Sequence, residues 1–251
     1  MDIWQPSKNL RSANGLPVIM RIHGGAWVRG GRGELAEWNR WLRQLGYLVL
    51  DVDYRMPPEA KWNEEVGDIK CAVGWIVAHA QEFQIDPERI YLMGSSAGGN
   101  LAMLAAYSTG ERALTPTCSV PNIKIRGVIN LYGPSDLAFT YANTGSVGFI
   151  RPALERYLGG APDAQSERYR MLSPLTYITS AVPTLVIIGA RDRIIPSQQA
   201  DALDAALAAA GVFCELIRIP ATDHAFDVNW NGPATQIARM KILSFLQADY
   251  D

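Results

Sequence analysis

Residues 90–100 pass from an apolar, strand-like run directly into a small-residue, helix-like one, and Gly94, Ser96 and Gly98 spell GxSxG at the junction. A serine hydroxyl is a weak nucleophile at neutral pH, so it must be lifted clear of the sheet toward a general base. A sharp strand-to-helix turn does this, and it brings strand and helix so close that only glycine or alanine fits on either side of the serine. The turn also strains the backbone at Ser96, while the helix start aims its amides and positive dipole end at any oxyanion formed there. Ser95 is a rival nucleophile, but only Ser96 has a glycine two positions away in both directions. Glycine- and serine-rich turns of this kind also cradle phosphates, so the pentapeptide by itself leaves that reading open.

Three other loops narrow the choice. An apolar run over 17–22 leads into His23-Gly24-Gly25-Ala26-Trp27. Acyl transfer builds negative charge on a carbonyl oxygen, and each donor aimed at it is worth about 3 to 4 kcal/mol. The amides of Gly24 and Gly25, joined by that of Ala97, are candidates for this oxyanion hole. His23 reads as an anchor of the loop, and Trp27 as a pocket wall or a packed side chain. Two more strand-like runs end in Asp192 and, a few residues further on, in His224. Each places a titratable residue just beyond a strand's carboxyl end, where open α/β sheets bind ligands. In chain order the set is Ser96, Asp192, His224, with the imidazole as general base and the carboxylate holding its tautomer. Of the three histidines, His79 falls inside a helical pattern on a polar-leaning stripe with Asp68 and reads as a surface or capping residue. Asp201, Asp223 and Asp227 are rival acids by proximity, and ordinary solvated carboxylates account for them.

These side chains meet only if a sheet brings their loops to one edge. Strand patterns fall at 18–22, 47–52, 90–93, 125–131, 184–189 and 214–219, most of them apolar at consecutive positions, as strands buried on both faces are. The last carries Glu215 and Arg218 and therefore belongs near an edge of the sheet. Helical patterns occupy about 34–45, 64–83, 97–108, 197–211 and 234–247, and Gly211 is placed to close the fourth as a left-handed cap. The alternation predicts an α/β fold, a mostly parallel central sheet with helices on both faces. One connection, 132–182, is far longer than a usual loop, so 133–180 is expected to form a lid or pocket wall inside a single domain covering 1–251. Tyr132 and Trp230 are placed as candidate substrate contacts with Trp27. The opening residues read as a strand remnant followed by a loop, as though earlier strands were missing.

The bulk composition excludes several partners. With 23 basic against 25 acidic side chains, a net charge of −2 and no run of like charge, the chain has nothing to track a nucleic acid backbone or an anionic bilayer. No stretch reaches the roughly 18 apolar residues of a membrane span, and the first residues lack the order of a secretory signal, so a cytoplasmic location is expected. Cys71, Cys118 and Cys214 match neither a metal-ligand nor a redox spacing and read as small, partly buried thiols without a disulfide framework. No metal or organic cofactor is expected, and nothing in the sequence fixes an oligomeric state.

Taken together, the 23–27 loop, Tyr54-Arg55-Met56-Pro57-Pro58-Glu59, the 94–100 turn and the Asp192 and His224 loops resemble the hormone-sensitive-lipase-like esterases and the feruloyl and acetyl-xylan esterase group of the α/β-hydrolase superfamily. The resemblance implies Ser96, Asp192 and His224 as a triad, Gly24, Gly25 and Ala97 as the oxyanion hole, and a small-molecule ester with a short or small aromatic acyl group. Hormone-sensitive-lipase-like members usually carry an N-terminal helical cap that this chain lacks, so its lid must come from the 133–180 excursion. An arylformamidase or amidase-type relative, or a non-catalytic ligand receptor on the same fold, are the alternative readings.

Overall fold

The computed structural model describes residues 1–10, 15–116, 118–119, 124–144 and 147–248. In chain order the elements are β1 (Asp2–Trp4), β2 (Leu16–Ile22), α1 (Ala36–Gln44), β3 (Leu48–Val52), α2 (Glu64–Ala78), α3 (Ala80–Phe83), β4 (Ile85–Ser95) and α4 (Ala97–Tyr107). They continue with β5 (Gly127–Leu131), α5 (Leu137–Asn143), α6 (Ile150–Leu158), α7 (Ser166–Met171), β6 (Thr184–Gly189), α8 (Gln198–Ala209), β7 (Cys214–Ile219) and α9 (Pro233–Gln247).

The strands form one sheet in the order β1-β3-β2-β4-β5-β6-β7, parallel throughout except for β1, which runs antiparallel to β3. Helices flank it, with α1 against β3, α4 against β4 and β5, and α9 against β6. Strands β3, β5 and β6 are buried along their whole length, which is why their sequences are apolar without alternation. Strand β7 is half-buried for most of its length and closes one edge, where Glu215 and Arg218 had placed it. The opening segment pairs as β1 on the other edge; of the loop that follows it, residues 11–14 lie outside the described residues.

Two local expectations change. The helix expected over 64–83 breaks at His79, whose φ of −110° and ψ of 13° leave the helical range. Its ring Nδ1–H donates to Trp75 O at 2.9 Å and the ring stacks on Trp75, so His79 does act as the cap and the chain restarts as α3. After α3, Gln84 turns left-handed, with φ of 55°, and β4 begins at Ile85, five residues ahead of its apolar run, because Ile85 pairs with Leu16 of β2. Gly211 adopts the expected positive φ, 73°, after α8.

The cysteine reading is overturned. Cys71 of α2 is disulfide-bonded to Cys118, with Cα atoms 5.8 Å apart, and Cys214 alone among the described cysteines stays free. The 47-residue separation carried no spacing signal, because the pair meets only once α2 and the segment after α4 are packed together.

The long excursion folds into α5, α6, α7 and a 3-10 turn over Pro174–Ser180, apart from 145–146, which lie outside the described residues. It is pinned to α8 by a polar side chain. Gln199 of α8 accepts from the amides of Ser135 and Asp136 at 3.0 and 2.9 Å and donates to Thr140 Oγ1 at 2.7 Å. Among the described residues, no helix is long and apolar enough to cross a membrane.

Candidate active site

The β4–α4 junction takes the shape its glycines permit. Ser96 has φ of 55° and ψ of −120°, a conformation that costs a non-glycine residue on the order of 1–3 kcal/mol and persists only where surrounding contacts enforce it. Here the Ser96 amide donates to Leu131 O of β5 at 2.8 Å. A Cβ on Gly94 would lie 2.0 Å from Gly98 O, and one on Gly98 would lie 2.2 Å from Ile22 O and 2.4 Å from His23 O. The strand, the helix start and the end of β2 thus touch backbone to backbone, and the serine is left half-exposed above them.

His224 and Asp192 come from loops after β7 and β6. His224 Nε2 lies 2.9 Å from Ser96 Oγ, and His224 Nδ1 lies 2.8 Å from Asp192 Oδ2. Asp192 Oδ1 accepts from the amides of Ile194 and Ile195 at 2.9 and 2.8 Å. Both carboxylate oxygens are therefore occupied, and the side chain is fully shielded from solvent, whereas the imidazole retains 8% exposure. Because Nδ1 faces a carboxylate, it carries the proton, which leaves the Nε2 lone pair directed at the Ser96 hydroxyl.

The rival acids have other duties. Asp223 Oδ1 accepts from the His224 amide at 2.8 Å and from Arg193 N at 3.0 Å, fixing the histidine loop by its backbone. Partial desolvation pushes the Asp223 carboxyl upward, but the Arg193 side chain and the two amides outweigh it and hold it below the ordinary carboxylate value. Asp201 makes an ion pair with Arg218. The solvated reading of Asp227 is wrong: it is buried, accepting from Trp38 Nε1 at 2.9 Å and from the Tyr132 hydroxyl.

The loop after β2 wraps the opposite side of Ser96. A Cβ on Gly24 would sit 3.3 Å from Ser96 Cβ and 2.9 Å from Ser95 O, so this stretch of backbone rides directly on the Ser96 turn. Gly25 has φ of 114°, and Ala26 and Trp27 follow at 54° and 60°, a left-handed run closed by Val28 and Arg29 amides on Gly25 O. His23 anchors it as expected: Nδ1–H donates to Gly24 O at 2.7 Å, the ring stacks on Tyr54 at 4.3 Å, and the Tyr54 hydroxyl donates to His23 O at 3.1 Å. Among the described residues, no backbone carbonyl in turns or loops takes the amides of Gly24, Gly25 or Ala97.

Of the three aromatic candidates, Tyr132 reaches the site. Its buried ring meets the His224 ring edge-on at 4.5 Å. Trp27 is a packed side chain rather than an open wall, 1% exposed, stacked on Tyr157 at 5.3 Å and donating its indole N–H to Asn100 Oδ1. Trp230 packs edge-on against Trp38, with Arg239 over its ring, in the cluster between α1 and α9. Sequence reasoning passed over Asn100, whose signal was a lone polar residue in an otherwise apolar helix.

The parallel sheet, the strained serine turn and the serine, histidine and aspartate at three strand ends define an α/β-hydrolase. A family model described as BD-FAE matches residues 1–207, and the chain belongs to that family. It is 32% identical to a probable carboxylic ester hydrolase, LipM, of Mycobacterium tuberculosis, over 95% of this chain and 56% of LipM. It is 26% identical to the isoprenylcysteine alpha-carbonyl methylesterase ICME of Arabidopsis thaliana, over 89% of this chain and 53% of that protein. The chain spans about half the length of the curated relatives it matches. Among solved structures, esterase B of Lactobacillus rhamnosis superposes with a TM-score of 0.80 at 22% identity, covering 97% of this chain and 78% of that one. Thermogutta terrifontis esterase Est2 gives 0.80 at 23%, covering 97% and 87%, and these two likenesses are likenesses of fold.

Proposed function

We propose that the chain is a serine carboxylesterase that hydrolyses short-chain or small aromatic acyl esters through an acyl-enzyme. The observation that carries this reading is the aligned pair of hydrogen-bond distances, 2.9 Å from Ser96 Oγ to His224 Nε2 and 2.8 Å from His224 Nδ1 to Asp192 Oδ2. The ester hydrolase names of its relatives agree with it.

In the first half-reaction, His224 Nε2 takes the Ser96 proton as Oγ attacks the ester carbonyl. In this reading the resulting oxyanion sits against the amides of Gly24, Gly25 and Ala97. The Asp192 carboxylate stabilises the imidazolium, which then gives its proton to the departing alcohol oxygen. In the second half, His224 removes a proton from water, hydroxide adds to the acyl carbon, and collapse releases the acid and restores Ser96. The α5 to α7 excursion serves as the lid or pocket wall, and 1–251 acts as one domain. The Cys71–Cys118 disulfide favours an oxidising compartment over the cytoplasm.

Hydrolysis rates over p-nitrophenyl esters from acetate to decanoate, with feruloyl and acetylated-sugar esters and a matched amide, test this. The expected result is turnover that peaks at short or aromatic acyl groups, exceeds that of the amide, and is abolished in Ser96→Ala. Release of no p-nitrophenol, together with an organophosphate that leaves Ser96 unlabelled, overturns it in favour of a ligand receptor. Faster amide than ester cleavage overturns it in favour of an amidase.

A further inference from the structure

Four buried side chains outside the triad join the two loops that carry Ser96 and His224. Ser95 precedes the nucleophile, and Asp227 follows the histidine by three residues. Between them stands Tyr132, whose hydroxyl donates to Asp227 Oδ1 and is close enough to Ser95 to interact with its side chain. The other carboxylate oxygen of Asp227 accepts from Trp38 Nε1 of α1 at 2.9 Å.

The backbone completes the connection. Leu131 O accepts the Ser96 amide at 2.8 Å, and the next residue, Tyr132, turns left-handed with φ of 46° while its own amide donates to Ile187 O of β6 at 2.8 Å. Two consecutive residues therefore hold the nucleophile turn by the main chain and the histidine loop by a side chain. The Tyr132 ring itself rests edge-on against His224 at 4.5 Å and against Phe226 at 5.2 Å. Arg21, also buried, places its positive charge near both Asp227 and Tyr132.

Stability alone does not call for this arrangement. A buried carboxylate and guanidinium cost several kcal/mol each to desolvate, and an apolar set of similar volume commonly fills such a site at least as well. What the polar set adds is direction, because a hydroxyl and an indole N–H fix both oxygens of one carboxylate.

We propose that Tyr132 and Asp227 are a positioning pair that sets the separation of Ser96 from His224 and the tilt of the imidazole, acting through the His224 ring and its loop. The inference rests on the ester hydrolase reading. Misplacement of a reacting group by about 1 Å costs on the order of 10²-fold in rate, so loosening this tie is read in kcat.

The test measures Tyr132→Phe, Asp227→Asn and the double variant in the full chain, by p-nitrophenyl butyrate kinetics and by the rate at which an organophosphate labels Ser96. Each single variant is expected to lower kcat about ten- to a hundredfold with KM within about twofold. The double variant is expected to fall no further than the worse single one, because both remove the same tie. Wild-type kcat in the single variants, losses that multiply, or losses confined to KM overturn the proposal. Should Asp227→Asn not fold, Trp38→Phe frees the second carboxylate oxygen and must again lower kcat rather than raise KM. A wild-type chain that labels at Ser96 but cleaves no ester sinks the ester reading alone, and labelling rates in the variants still report on the pair.

Discussion

Trp27 donates its indole N–H to Asn100 Oδ1 across 3.2 Å, and through that bond the loop carrying Gly24 and Gly25 is tied to α4, the helix that starts just after Ser96. The Asn100 amide is used completely, since its Nδ2 also donates to Pro134 O and Leu172 O at 3.1 Å each, at the two ends of the α5 to α7 excursion. One buried side chain thus registers the Gly24–Gly25 loop, α4 and the α5 to α7 excursion. Asn100→Leu leaves two carbonyls and an indole N–H without partners, at about 1–3 kcal/mol for each buried group. The variant is expected to lose at least about 3 kcal/mol in urea unfolding and to drop in kcat; unchanged stability would show that these groups find other partners.

The glycines around Ser96 are required by space rather than by flexibility. Gly98→Ala puts a methyl group within 2.2 Å of Ile22 O, so the helix must retreat from β2 or the turn must open. Backbone clashes of this kind cannot relax through a rotamer change, and a loss of several kcal/mol is expected. The measurement is soluble yield and the denaturation midpoint, and a variant within about 0.5 kcal/mol of wild type would mean that the close contact is not maintained.

Cys71→Ser opens a covalent loop of 47 residues that contains Ser96, although the bridge itself joins α2 to the segment after the far end of α4. Cross-links of this size contribute about 2–4 kcal/mol, chiefly by restricting the unfolded chain. The expected outcome is a lower melting temperature with kcat and KM unchanged, and wild-type protein treated with reductant is expected to match it. An equal melting temperature in oxidised and reduced protein counts against the bond.

Glu65, at the start of α2, is fully buried, and neither carboxyl oxygen meets a hydrogen-bond partner among the described residues. Burial pushes its carboxyl well above the ordinary value of 4.5, and nearby Asp68 adds to the shift. Above that ordinary value the unfolded chain releases the proton while the folded chain keeps it, so this residue lowers stability progressively as pH rises toward its folded pKa. The slope reaches at most about 1.4 kcal/mol per pH unit. Glu65→Gln removes the effect. Urea titrations at pH 5 and pH 8 are expected to show the glutamine variant gaining on wild type at the higher pH, and parallel behaviour at both values would place a negative charge in the core.

What the sequence determined by itself was whatever a few adjacent residues enforce. The GxSxG turn, the His23 to Trp27 glycine loop and the strand-end positions of Asp192 and His224 each follow from local backbone needs, and unbroken apolar runs marked the buried strands. Partnerships between distant elements came only with folding. Cys71 with Cys118, Tyr132 with Asp227, and Trp27 with Asn100 are separated by 47, 95 and 73 residues, and no local pattern links their members. The same reason explains the misreading of Asp227 as solvated, because exposure is set by what packs over a residue. In this chain α1, through Trp38, and Tyr132, at the end of β5, together take both oxygens of that carboxylate.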